Sequence, residues 1–195
     1  VHAIEAFTSI NSNNNPVSKM LSIEALKLLG SSIKTAVFDG HNINARSNML
    51  LGSMLAGKAF ANSPVAAVHA LAYPIGGLFN ISHGLSNSLV LTSVMKFNSK
   101  NEETKKNYAH LAPYVFKNLD NSKNDEFLCN NFIDGLERLC KELNLPYRLR
   151  DLEIPEEACK LMASEAMKQT RLLVNNPRKI EESDAYNICL LYTSP

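Results

Sequence analysis

Residues 52–98 read GSMLAGKAFANSPVAAVHALAYPIGGLFNISHGLSNSLVLTSVMKFN, and their patterning decides the fold. The helical pattern that enters this stretch begins near residue 43. It carries Met49, Leu50, Leu51, Met54, Leu55, Ala56, Ala59, Phe60 and Ala61 over 43–62. Apolar residues on nearly every face predict a helix buried on several sides. Ser63-Pro64 then opens a second apolar helix, predicted over 64–73, with alanines at close-packing positions. Pro74, Gly76 and Gly77 fall within four residues and are expected to end or bend it. Asn80 to Gly84 reads as a loop, and an apolar helix resumes over 85–97 with Leu85, Leu89, Val90, Leu91, Val94, Met95 and Phe97.

Outward from this stretch the period stays helical. Over 17–37, Val17, Met20, Leu21, Ile23, Leu26, Leu28, Leu29, Ile33 and Val37 recur at spacings of three and four. Asn15-Pro16 supplies a start signal and Asp39-Gly40 a stop. Beyond Asn98 the helices become amphipathic, at about 102–118, 124–144, 155–167 and 179–190. Leu128, Phe132, Leu136, Leu139 and Leu143 form their clearest stripe. Strand signals are almost absent. The expected fold is a single all-α domain with a buried layer over 43–97 and more solvated helices after it.

Composition narrows the function classes. The chain has 195 residues, 20 Lys and Arg against 19 Asp and Glu, and a net charge of +1. That balance makes no electrostatic case for nucleic acid or an anionic membrane as a partner. No run approaches the ~18 apolar residues that span a bilayer, and no signal peptide is visible. Cys129, Cys140, Cys159 and Cys189 are widely spaced, with no CxxC pair. Reduced thiols in a cytoplasmic protein are the expected state. The chain opens on Val1, inside a helical pattern, so it is expected to begin within a longer protein.

Of five histidines, His41 sits in the Asp39-Gly40 turn and His110 on a polar helix; both read as structural or solvated. His2 and His69 lie in apolar helices, and His83 stands just before one. Buried neutral imidazoles need partners. These three either find ordinary hydrogen bonds or share a metal ion. The separation of His69 and His83 along the chain does not decide between the two.

The stretch from Gly52 to Asn98 closely resembles the second signature region of the iron-containing alcohol dehydrogenases, most specifically from Ala56 to Leu91. The opening HAIEAF, His2 to Phe7, resembles the end of that family's first signature, and RLLVNNPRKI, Arg171 to Ile180, its C-terminal segment. The resemblance covers about 1–188. It implies an all-helical bundle of the dehydroquinate synthase-like C-terminal domain type, serving as the metal-binding and substrate domain. It also implies a preceding NAD(P)-binding domain outside these residues. This chain has no Gly-x-Gly-x-x-Gly.

The resemblance implies that His2, His69 and His83 are ligands of a divalent iron, Fe(II), with Zn(II) also acceptable to such donors. A fourth ligand, an aspartate, would stand four residues before His2, on the same helix face. Many members carry a further histidine four residues after the one matched by His69; here that position is Tyr73. Its phenol is expected to orient a substrate hydroxyl or relay a proton, or else to form an aromatic wall. Phe60 matches an aromatic position by the family's substrate pocket, or packs in the core. Glu5 matches a family glutamate that supports the site from outside the ligand set or pairs with a neighbouring charge. The last residues, Cys189 to Pro195, depart from the family and are expected to form a non-native, poorly packed tail from 190 on.

The function implied is metal-assisted hydride transfer between a primary or secondary alcohol and NAD or NADP, with the isolated fragment inactive. A zinc-dependent glycerol dehydrogenase-like enzyme and a non-catalytic helical interaction module are the alternatives. A small alcohol or aldehyde is the expected partner, with no nucleic acid and no membrane. Helices apolar on several faces imply exposed apolar surface where a missing domain packs, and are compatible with a homo-oligomer.

Overall fold

Capping asparagines mark where four of the ten described α-helices begin. In the computed structural model, which describes residues 1–190, Asn15 caps α2 (Pro16–Phe38) by accepting from the Val17 and Ser18 amides. Asn42 caps α3 (Ile43–Asn62), Asn101 caps α6 (Glu102–Val115) and Asn124 caps α7 (Asp125–Glu142). Each side chain satisfies a first-turn amide that the helix leaves unpaired. The remaining helices are α1 (His2–Thr8), α4 (Ala67–Phe79), α5 (His83–Asn98), α8 (Ala158–Met167), α9 (Thr170–Leu173) and α10 (Glu182–Leu190), with a single 3-10 turn at Leu149–Leu152. No strand occurs among the described residues, so the fold is all-α as expected.

The core is built around α4 and α5. Val68, Ala70, Leu71, Ala72 and Ile75 of α4 are buried, as are Leu89, Val90, Val94 and Met95 of α5. Tyr108 of α6 and Phe132 of α7 close that core on one side, their rings 6.3 Å apart. Cys159, Met162, Ala163 and Ala166 of α8 face Ala185, Ile188 and Cys189 of α10 within the same cluster. No disulfide joins the four cysteines.

Two local expectations are corrected. First, α4 starts at Ala67 and runs through Pro74, Gly76 and Gly77 to Phe79. A proline inside a helix costs about 3 kcal/mol, but eight residues of α4 are buried, and that packing outweighs it. The chain reverses later, at Asn80, which adopts the left-handed conformation with φ 54°, and His83 is the first residue of α5 rather than part of a loop. Second, α3 is not buried on several sides. Its small residues Ala45, Gly52, Ala56 and Ala59 form the buried seam. A Cβ on Gly52 would lie 2.8 Å from Leu29 of α2. The large side chains turn outward, with Leu50 76 % exposed and Met54 47 %. Of the tail expected from Cys189 on, Cys189 and Leu190 end α10 and Cys189 is buried; residues 191–195 lie outside the described residues.

Close approach of α2 to the end of α6 depends on Gly30. A Cβ there would meet the Val115 Cα at 2.9 Å and its carbonyl oxygen at 3.0 Å. Backbone cannot yield as a flexible side chain does. Gly30→Ala is therefore expected to destabilise the chain by about 1–3 kcal/mol, despite alanine's better helix propensity. Gly57 of α3 has open space around its missing Cβ, so Gly57→Ala is expected to stabilise by about 0.4–1 kcal/mol. Urea unfolding of the two variants reads both signs.

Candidate metal centre

Three elements distant in sequence meet at one end of the bundle. His2 opens α1, His69 sits in the first turn of α4, and His83 opens α5. Their ring centroids are 4.6 Å apart for His2 and His69, 5.3 Å for His69 and His83, and 6.1 Å for His2 and His83. One nitrogen from each lies within 4.8 Å of the others. Among the described residues this is the one group of three or more metal-type side chains that converge so.

His69 is buried, and its orientation is set by Glu5. The Nδ1 of His69 lies 2.6 Å from the Glu5 Oε2. A carboxylate accepts, so Nδ1 carries the proton and the Nε2 lone pair points the other way, to the His2 Nε2 at 3.0 Å. Glu5 does more than hold the ring. Its two oxygens also accept from the backbone amides of Ala66 (3.1 Å) and Val68 (2.7 Å). The start of α4 has no capping side chain of its own; a glutamate from α1 takes that place and adds negative charge at the positive end of the helix dipole. Ser63 reinforces the joint, its hydroxyl donating to the Ala6 carbonyl at 2.5 Å.

The donor set suits a divalent ion. Two ligands about 2.1 Å from a tetrahedral metal sit about 3.4 Å apart, inside the range that these nitrogens span. Burial, above all, pushes the His2 pKa down to about 4, with the neighbouring His69 ring, the Val1 amino group and His83 acting in the same direction. A neutral imidazole offers a lone pair to a metal. On the His69 side, a ring N–H held by a carboxylate is the arrangement that fixes the tautomer and orientation of a ligand histidine.

The flanking residues also gather here. Phe60 of α3 stacks on His2, centroids 4.6 Å apart and planes 20° apart, so it lies at the centre and not in the core. The Tyr73 ring is 6.3 Å from His83, at the rim and 36 % exposed. Asn87, one turn beyond His83, donates to the His83 carbonyl at 2.9 Å and reaches 3.2 Å from its Nε2. Sequence reasoning missed Asn87, and it left the role of Glu5 open. His41 and His110 stay away: His41 is exposed in its turn, and His110 packs against Phe7 and Tyr114.

Comparison with known proteins follows the same lines. Residues 1–191 match the Fe-containing alcohol dehydrogenase family, C-terminal part. The chain is 37 % identical over 188 residues to long-chain-alcohol dehydrogenase 1 of Geobacillus thermodenitrificans, covering 94 % of this chain and 45 % of that protein. It is 34 % identical to the 1,3-propanediol dehydrogenase of Citrobacter freundii, covering 96 % of this chain and 47 % of the relative. A crystal structure of 1,3-propanediol oxidoreductase superposes with a TM-score of 0.91 at 31 % identity, over 98 % of this chain and 48 % of the other. The chain thus spans about half the length of the relatives it matches. With the match running through every helix described above, the chain belongs to the Fe-containing alcohol dehydrogenase family and corresponds to its C-terminal helical part.

Proposed function

We propose that this chain is the metal- and substrate-binding half of an NAD(P)-dependent alcohol dehydrogenase, with His2, His69 and His83 as ligands of Fe(II). The observation that carries the proposal is the convergence of three imidazoles, one of them locked by a buried carboxylate. The donor set also accepts Zn(II); the iron reading rests on the family. When bound, the ion supplies Lewis acidity to an alcohol oxygen and lowers the pKa of its hydroxyl.

The protein's own groups do the rest. Glu5 keeps the His69 Nε2 lone pair facing the site. Phe60, flat against His2, walls one side and offers an apolar surface to the carbon chain of a primary or secondary alcohol. Tyr73 at the rim is assigned the substrate hydroxyl: its phenol orients that group or passes its proton to solvent. The names of the two relatives, which refer to a long-chain alcohol and to 1,3-propanediol, support linear alcohols and their aldehydes as the substrate class. The nicotinamide nucleotide comes from a domain outside these residues, since they contain no Gly-rich pyrophosphate loop. No helix among the described residues is long and apolar enough to cross a membrane, which fits a cytoplasmic enzyme.

The test uses a longer protein that carries these residues together with the nucleotide-binding domain. Loaded with Fe(II), it is expected to reduce NAD or NADP in the presence of a primary alcohol. Tyr73→Phe is expected to lower kcat about 100-fold with little change in KM. The 195-residue chain alone is expected to show no turnover. Turnover by the chain alone would overturn the half-enzyme reading, and an iron-loaded longer protein inert toward alcohols would overturn the activity.

A further inference from the structure

Asn175 lies outside the ligand set and the rim, yet it is hydrogen-bonded to both of the segments that carry Glu5 and His69. It is buried, at the end of α9. Its Oδ1 accepts from the Asn11 amide at 2.8 Å, and its backbone carbonyl from the Ile10 N–H at 3.0 Å. Both partners sit just beyond the end of α1. Its Nδ2 donates to the Val65 carbonyl at 3.0 Å, one residue before Ala66, whose amide Glu5 grips. One side chain thus ties the end of α1 to the start of α4. A further bond from Nδ2 to the Arg171 carbonyl, at 3.0 Å, anchors it to α9, which ends two residues before it.

From this we infer that Asn175 is a positioning residue for the metal centre, fixing the spacing of His2 and His69 by bracing α1 against α4. The inference rests on the proposal that these histidines hold an ion. Its neighbour Asn176 supplies the contrast. Asn176 makes a reciprocal amide pair with Asn98 at the far end of α5, at 2.8 and 3.0 Å, and bonds the Arg178 carbonyl. Those partners lie in neither α1 nor α4. The two asparagines are equally buried and similarly bonded, so losing either weakens the fold, while only Asn175 spans the joint between the ligand helices.

The experiment titrates Co2+ into the full 195-residue chain and its variants and measures thermal unfolding without metal. Asn175→Ala is expected to weaken Co2+ binding about ten-fold, as loss of an outer partner does. Asn176→Ala is expected to lower Tm comparably while leaving affinity within about two-fold, as independent sites do. In the metal-free chain, the imidazole 15N shifts that report the His2–His69 hydrogen bond change in the first variant and not in the second. Asn11→Ala removes one strand of the brace at a partly exposed position. It gives a smaller loss in the same direction and stands in if Asn175→Ala does not fold. Equal affinity losses in the two asparagine variants, or none in Asn175→Ala, would overturn the inference. An unaltered chain that takes up no Co2+ would overturn the metal reading itself and this inference with it.

Discussion

A His69→Ala chain is expected to take up no divalent ion at concentrations that saturate the unaltered protein. His69 is the central member of the three: its ring lies closer to each of His2 and His83 than those two lie to each other. Its Nε2 lone pair already points into the space they share. The other two imidazoles lie 6.1 Å apart by centroid and are joined by no bond of their own. Removing an outer partner of a metal ligand weakens binding by about 10–100-fold, and losing the middle ligand is expected to exceed that range. The fold should survive, because Glu5 keeps its two backbone amides. Far-UV circular dichroism distinguishes this outcome from simple unfolding. Uptake within ten-fold of the unaltered chain would remove His69 from the site.

Glu5→Ala is expected to be the most destabilising substitution near the centre. It leaves three buried donors without an acceptor: the Ala66 amide, the Val68 amide and the His69 Nδ1–H. At about 1–3 kcal/mol for each orphaned buried group, the loss comes to roughly 3–9 kcal/mol, a large part of a typical domain stability of ~5–15 kcal/mol. Glu5→Gln keeps the size and one acceptor, so it should cost less stability. It no longer offers His69 a charged acceptor, and ion affinity should fall about 10–100-fold. Denaturant unfolding of the first and ion titration of the second separate the two roles. A loss below about 1 kcal/mol for Glu5→Ala would contradict the cap described for α4.

Much of this architecture was legible in the pattern of residues. The periodicity over 17–37 and the Asn15-Pro16 signal correspond to α2, Pro16–Phe38, and the expected helix at 43–62 is α3 itself. Local chemistry dominates in such places, because capping asparagines and repeated apolar positions act over a few residues. The failures arose where distant contacts decide. Pro74 and the glycines after it signal a break by local rules, but burial of α4 carries the helix past them. In α3 the apolar residues gave no direction. Ala56 and Ala59 turn inward while Leu50 and Met54 face out, since a seam tight enough for Gly52 to touch Leu29 admits only small side chains.

The site divides in the same way. Five histidines could be sorted by their surroundings, and the family resemblance singled out three; their convergence is a property of the packed helices alone. The separation of 67 positions between His2 and His69 carries no signal in the chain. Neither does the bond from Glu5 to the amides of α4. The sequence offers Ser63-Pro64 as a start for that helix, so the uncapped start at Ala67 emerges only in the packed structure.

The proposal on which the rest depends is that His2, His69 and His83 jointly hold one divalent ion. X-ray absorption at the iron edge, on the chain loaded anaerobically with one equivalent of Fe(II), tests it most directly. Three imidazole nitrogens are expected at about 2.0–2.2 Å, a count that drops when any of the three histidines is replaced by alanine. A shell of oxygen donors alone, unchanged in all three variants, would contradict it.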